Sequence, residues 1–221
     1  MRPEMVAFDV AGTTVCDDGI VLAAFEGAFV RTQPILWNEK GDELMAYAIE
    51  TMGQSKIDVF THLIGNDEQA QLCNRAFEAV YLEEVDERGA DPIPGAEECF
   101  AYLQGLEIPV VLTTGFSRKT LDSLLDSLGW QSKIQLSVTP EEAGRGRPYP
   151  DMLEFAADAL GVADRTNTVV LGDTISDMRA GVAFGSSSVI GVLTGAHTRE
   201  MLISAEATSV INSIADLPSL I

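Results

Sequence analysis

Basic residues are scarce in this chain: 14 Lys and Arg stand against 34 Asp and Glu over 221 residues, a formal charge of −20. A surface this acidic is repelled by nucleic acid and by anionic membranes, so neither is an expected partner. Cysteine is scarce as well. Cys16, Cys73 and Cys99 are odd in number and free of CxxC spacing, which excludes a zinc or disulfide framework and matches reduced thiols. No apolar run continues for the roughly 20 residues of a membrane span before charge or Gly interrupts it. The first residues, Met-Arg-Pro-Glu, lead at once into a short apolar stretch and lack the long apolar region of a signal peptide. Cytoplasm is the expected location.

What is present is a core. A hydrophobic fraction of 46% can fill one large domain, or one domain with a smaller insert. Apolar runs ending in small or polar residues fall at 4–10, 109–115, 134–139, 168–173 and 188–192. Segments of helical period lie between or after them, at 96–106, 117–128, 151–160, 176–184 and 198–205. This alternation predicts an α/β fold, a doubly wound Rossmann-like parallel sheet whose ligand sits beyond the carboxyl ends of the strands. The interval from 16 to 88 breaks the pattern with helical stretches at 22–31, 42–51, 57–64 and 67–85 and no buried strand. Ala90-Asp-Pro-Ile-Pro-Gly95 then reads as a rigid return linker. The chain is therefore expected to divide into a core (1–15 and 89–221) and an α-helical cap (16–88) inserted after the first strand.

Four segments carry chemistry. In Val6-Ala-Phe-Asp-Val-Ala-Gly-Thr-Thr14, an aspartate ends a buried strand. Gly12 allows close backbone approach there, and the Thr13 hydroxyl can hold phosphate oxygens. In Val169-Val-Leu-Gly-Asp-Thr-Ile-Ser-Asp177, Asp173 closes a strand and Asp177 lies one helical turn on. With Asp9 these carboxylates make an oxygen-rich site suited to Mg²⁺. The plainer alternative is that Asp173 or Thr174 caps the next helix and Asp177 is solvated. Val110-Val-Leu-Thr-Thr-Gly115 ends a third strand in hydroxyls. Gly144-Arg-Gly-Arg-Pro-Tyr-Pro150 sets two guanidinium forks in a loop, part of the local positive charge that an anionic substrate needs on so acidic a protein. His62 and His197 read as surface or capping residues, although His62 could face the cleft. Trp37 and Trp130 read as packing.

The order of these segments resembles the haloacid dehalogenase superfamily over essentially the whole chain. Within it the chain most resembles phosphonoacetaldehyde hydrolase and its phosphonatase-like relatives. The matches are Asp9-Val-Ala-Gly-Thr-Thr14, Met52-Gly-Gln-Ser-Lys-Ile-Asp58, Val138-Thr-Pro140, Gly146-Arg-Pro-Tyr-Pro150 and Gly172-Asp-Thr-Ile-Ser-Asp-Met178. The resemblance implies a nucleophilic Asp9 and a Mg²⁺ bound by Asp9, the Ala11 carbonyl and Asp173, with Asp177 in support. It makes Thr113 and Arg147 phosphoryl ligands. Thr113 is preferred over Thr114 as the first hydroxyl past the strand, and Thr114 and Gly115 join Thr13 as further substrate-binding candidates.

Phosphatases of this superfamily carry Asp-x-Asp, and the second Asp serves as general acid and base. Here Ala11 stands in its place, and loss of such a group costs about 10²–10⁴ in rate. Carbon–phosphorus cleavage through a lysine Schiff base needs no such acid, and Lys56 stands where the family's Schiff-base lysine falls. The family's pattern also has a His three residues later, where this chain has Val59. Gly-x-Ser-Lys is also a general cap loop that binds a substrate's distal group. Three readings follow: phosphonatase-like carbon–phosphorus cleavage of phosphonoacetaldehyde or a close analogue, as the resemblance implies, a phosphomonoesterase for a glycolate- or sugar-type phosphate, and a non-catalytic phosphate-binding module. A dehalogenase proper would have no use for Asp173 and Asp177. A homodimer is a further expectation.

Overall fold

The run Met-Val-Ala-Phe has no residue suited to water before Asp9, and it folds as β1 (Met5–Asp9), buried along its whole length. A computed structural model, which describes residues 2–221, sets β1 within a six-stranded sheet. The others are β2 (Val110–Thr113), β3 (Leu136–Val138), β4 (Thr168–Gly172), β5 (Ser188–Val192) and β6 (Ser209–Ile211). All neighbours are parallel, in the order β3-β2-β1-β4-β5-β6. The doubly wound sheet expected from the alternation is thus present, with one strand more than the apolar runs indicate. β6 is three partly exposed residues at the sheet edge, too short to show a period.

Four helices follow β1: α1 (Ile20–Thr32), α2 (Pro34–Glu50), α3 (Lys56–Ile64) and α4 (Asp67–Arg88). α2 bends at Lys40, whose φ of −137° and ψ of 17° leave the helical region. A seam of aromatic side chains holds this cap together. Phe25 stacks on Phe60 at 5.4 Å, and Phe60 meets Phe77 at 6.0 Å. Each fully buried Phe contributes about 1.5–3 kcal/mol of transfer free energy. The chain leaves and rejoins the core at one place: the Cys16 amide donates to the Asp91 carbonyl at 2.9 Å, and the Ile93 amide donates to the Thr14 carbonyl at 2.9 Å.

The remaining helices clothe the sheet: α5 (Ala96–Gly105), α6 (Arg118–Leu128), the single turn α7 (Pro140–Ala143), α8 (Asp151–Leu160), α9 (Ile175–Phe184) and α10 (Arg199–Ser204). Strand alternation divides β1 between two layers. Val6 and Phe8 join the cluster that runs through Phe100 and Trp130 and on into the cap. Met5 and Ala7 face Met152 and Ala156 of α8 and Phe184 of α9. Phe8, Phe100 and Trp130 pack edge to face at 5.5 and 5.1 Å, with Trp130 fully buried. Among the described residues, no helix is long and apolar enough to cross a membrane.

Candidate active site

The strand order reverses between β1 and β4, where a parallel sheet opens a crevice at the carboxyl ends of its strands. Asp9 ends β1, Thr113 ends β2 in register with it, and Asp173 follows directly on β4. Asp177 enters from the first turn of α9. Asp9, Asp173 and Asp177 are buried and offer carboxylate oxygens within 4.8 Å of one another.

Each carboxylate has a local reason for its place. The Asp177 amide donates to Thr174 Oγ1 at 3.3 Å, and Asp177 Oδ2 accepts from the Thr174 amide at 3.0 Å. This capping box starts α9 and leaves Asp177 Oδ1 facing the site, so the capping alternative holds while a solvated Asp177 does not. Asp173 accepts from the Thr13 hydroxyl at 3.0 Å and from the Ala196 amide at 2.8 Å. Gly12 has φ +85°, and a Cβ there would lie 2.8 Å from Asp173 Oδ2, so only glycine fits. The Thr13 hydroxyl is committed to Asp173.

Arg147 bridges two of the three carboxylates. Its Nη1 lies 2.6 Å from Asp9 Oδ1 and also meets Asp177 Oδ1, while its buried Nε has no partner. A buried donor left without an acceptor costs about 1–3 kcal/mol, which an anionic ligand at this point would remove. Burial, reinforced by the charge of Asp9, raises the pKa of Asp173 to about 7 against the opposing Ala196 amide and Thr13 hydroxyl. Three carboxylates around one guanidinium leave negative charge in excess, and an all-oxygen donor set suits a hard divalent cation.

The cap supplies the other wall. Lys56 opens α3 and is buried; its Nζ donates to the Gln54 carbonyl at 3.4 Å and lies 6.0 Å from the Phe77 ring centroid. Burial first, then the charge of Arg147, lowers its pKa to about 8, with Asp9, Asp17 and Asp173 opposing. Asp9, Ala11, Met52, Lys56, Thr114 and Arg147 line a shared cavity of about 30 Å³. That is room for roughly two water molecules. Thr114 and Gly115 line this cavity. Thr113 is the strand's last residue rather than the first beyond it, and its hydroxyl turns back to donate to the Phe8 carbonyl at 3.5 Å.

Three glycines let the cap loop lie against the core. A Cβ on Gly53 (φ +83°) would come within 2.5 Å of Thr174 Oγ1, and one on Gly146 within 3.0 Å of Ser55 Cβ. A Cβ on Gly115 would strike the Gln54 carbonyl.

Two neighbours of the site escape a reading of the sequence. Phe116 lines the cavity and packs on Tyr81 with ring centroids 4.6 Å apart. Tyr81 has only core spacing with Phe77 to mark it. Of the two roles expected for His197, surface and capping, the structure excludes the first and supports the second: it is buried, and its Nδ1 accepts from the Ile175 amide at 2.8 Å, capping α9. His62 is exposed and stacks on Tyr47 at 4.8 Å.

Residues 3–185 match the family model described as haloacid dehalogenase-like hydrolase. Phosphonoacetaldehyde hydrolase of Bacillus cereus is 32% identical over 231 residues, covering 97% of this chain and 84% of that protein. Among solved structures, a hydrolase from Pseudomonas syringae superposes with a TM-score of 0.82 at 24% identity, covering 98% of this chain and 96% of the other. A phosphonoacetaldehyde hydrolase-like protein from Oleispira antarctica gives 0.82 at 23% identity, covering 100% and 91%.

Proposed function

The chain belongs to the haloacid dehalogenase-like hydrolases, and from that premise we propose that it cleaves the carbon–phosphorus bond of phosphonoacetaldehyde or a close analogue. Family membership and the aspartate cluster make it an enzyme and set aside a purely binding role. In this reading 1–15 and 89–221 are the catalytic core and 16–88 the cap. One observation carries it: Lys56, a buried lysine with a pKa near 8, lines the same cavity as Asp9 and Arg147, while Ala11 supplies no second aspartate.

The chemistry balances without an acid at Ala11. The neutral Lys56 amine adds to the aldehyde, and with one proton taken up from solvent the adduct expels water, giving an iminium; that proton returns to solvent when the iminium is later hydrolysed. The Asp9 carboxylate attacks phosphorus, and the carbon–phosphorus electron pair passes to the iminium, leaving an enamine and an aspartyl phosphate. One water frees phosphate from Asp9. Protonation of the enamine carbon and a second water free acetaldehyde and restore the amine. Arg147 holds the phosphoryl group with Thr114 and Gly115, which line the same cavity; the Thr13 and Thr113 hydroxyls, bonded to Asp173 and to the Phe8 carbonyl, join only by turning from those partners. Asp9, the Ala11 carbonyl, Asp173 and Asp177 would hold Mg²⁺, which when bound neutralises charge on the phosphoryl oxygens.

A second reading, phosphomonoester hydrolysis by the same Asp9, draws on Val59. This residue is buried one turn past Lys56 and offers no proton relay, so Lys56 would serve only as an anion contact. Borohydride separates the two. With phosphonoacetaldehyde the first reading expects permanent mass at Lys56, acetaldehyde released with phosphate, and an inactive Lys56→Arg, whose guanidinium cannot condense with a carbonyl. It also expects kcat/KM to rise with pH and level off above about 8, because the unprotonated amine reacts. Phosphate without aldehyde, no adduct and an active Lys56→Arg would move the assignment to the phosphomonoesterase.

A further inference from the structure

The loop after β5 takes no part in the chemistry above, yet it touches both halves of the site. Thr194 donates to the Gly12 carbonyl at 2.7 Å. The Ala196 amide holds the Asp173 carboxylate, and the His197 amide donates to the Asp173 carbonyl at 3.3 Å. The His197 ring then spans two elements that are far apart in sequence. Its Nδ1 meets the Ile175 amide at 2.8 Å, and its Nε2 lies 3.4 Å from the Ile49 carbonyl.

These partners fix the tautomer. A backbone amide can only donate, so Nδ1 must be the bare nitrogen, and the proton on Nε2 donates to Ile49. Ile49 lies in the last turn of α2, and its carbonyl, which also accepts from the Met52 amide at 3.3 Å, has a second lone pair for the imidazole. From there the chain runs through Met52 and Gly53 into Lys56. Ile175 opens α9, which carries Asp177. A second bond crosses beside it, from Ser176 Oγ to the Met52 carbonyl at 2.9 Å. The imidazole therefore ties the last turn before the lysine loop to the helix start that aims the carboxylates.

We propose that His197 is a positioning residue that latches the cap over the core, holding Lys56 against Asp9 through its Nε2–H bond to Ile49. A cavity of about 30 Å³ is smaller than a phosphonylated metabolite, so in this proposal the contact loosens to admit substrate and forms again around it. The inference rests on the reading of Lys56 as a working residue, but its test does not depend on the substrate.

His197→Asn separates latch from scaffold. Asn Oδ1 occupies the Nδ1 position and can still accept from Ile175, while its side chain is too short to reach Ile49. Reductive methylation with formaldehyde and cyanoborohydride, read at each lysine by peptide mass spectrometry, reports cap opening at buried Lys56. The exposed Lys40 and Lys119 serve as internal references. The expected result is at least fivefold faster labelling of Lys56 relative to those two, with Tm close to wild type. Turnover of phosphonoacetaldehyde should lose about tenfold in kcat/KM. His197→Ala, which loses both bonds, should add a fall in Tm. An unchanged Lys56 labelling ratio in His197→Asn would overturn the latch, whatever the Tm of either variant. A changed ratio without aldehyde release would leave the latch standing and remove only the phosphonate reading.

Discussion

At the sheet edge each carboxylate is held from several sides, whereas the lysine across from it is held by very little. Asp173 has a hydroxyl and an amide, Asp177 has its capping box and Arg147, and both are fully enclosed. The Lys56 ammonium has a single 3.4 Å bond to a carbonyl two residues away, and the loop that carries it meets the core through backbone and glycine at Gly53, Gly115 and Gly146. A group fixed from all sides suits chemistry that stays the same from one substrate to the next. A group carried on a separable wall suits the step that must recognise and then release a particular molecule. The carboxylate cluster thus sits in the firmly held half of the site and Lys56 in the loosely held one.

The sharpest way to break this division is Asp9→Asn. If the core does the bond-breaking, turnover should fall by roughly 10⁴-fold or more on any substrate while the cap still closes, as Lys56 labelling would show. Near wild-type turnover would take the nucleophile away from β1.

Gly115→Ala tests the seam itself. No side chain is removed, but the new methyl meets the Gln54 carbonyl and keeps the lysine loop from seating beside the phosphoryl site. A misplacement of about 1 Å at a reacting group costs up to about 10²-fold, so kcat/KM should fall by up to that amount with little change in Tm. Full activity would mean that the contact between Gly115 and the lysine loop is unimportant.

The mildest expected effect is on metal affinity. A carboxylate must be ionised to ligate, and Asp173 has a pKa raised to about 7 by burial and the nearby Asp9. Mg²⁺ affinity, measured by calorimetry, should therefore weaken by roughly tenfold per pH unit as pH falls below 7 and flatten above it. The same raised pKa means that without a cation Asp173 disfavours folding as pH rises from about 4 towards 7, and added Mg²⁺ should raise Tm most above pH 7. Affinity independent of pH across this range would remove Asp173 from the ligand set.

The two halves also differed in how well the chain announced them. Asp9, Thr113 and Asp173 share one edge because each closes an apolar run, and period alone reveals that. Three of the four cap helices were equally readable, within a few residues at their ends; α2 starts eight residues before the expected 42, because its first part precedes the bend at Lys40 and so lies outside the period of the second. α7 was legible in principle, since Thr139 and Glu142 have capping-box spacing, but one turn leaves no period to find. The environment of His197 could not be read at all. Its ring partners lie 22 and 148 residues away, and only the folded sheet brings them to it. The same holds for Lys56, whose depressed pKa comes from enclosure rather than from its neighbours in sequence.

The paired crossing at Cys16–Asp91 and Thr14–Ile93 bears on how such a protein can change over time. An excursion that departs and returns through adjacent hydrogen-bonded residues asks nothing of the sheet except those two points. Closing a longer or shorter excursion between fixed ends changes the entropy only logarithmically, by about 0.6 kcal/mol per doubling. A different insert could therefore be grafted between the same anchors, and a lineage could exchange one specificity for another while its inherited sheet stays intact.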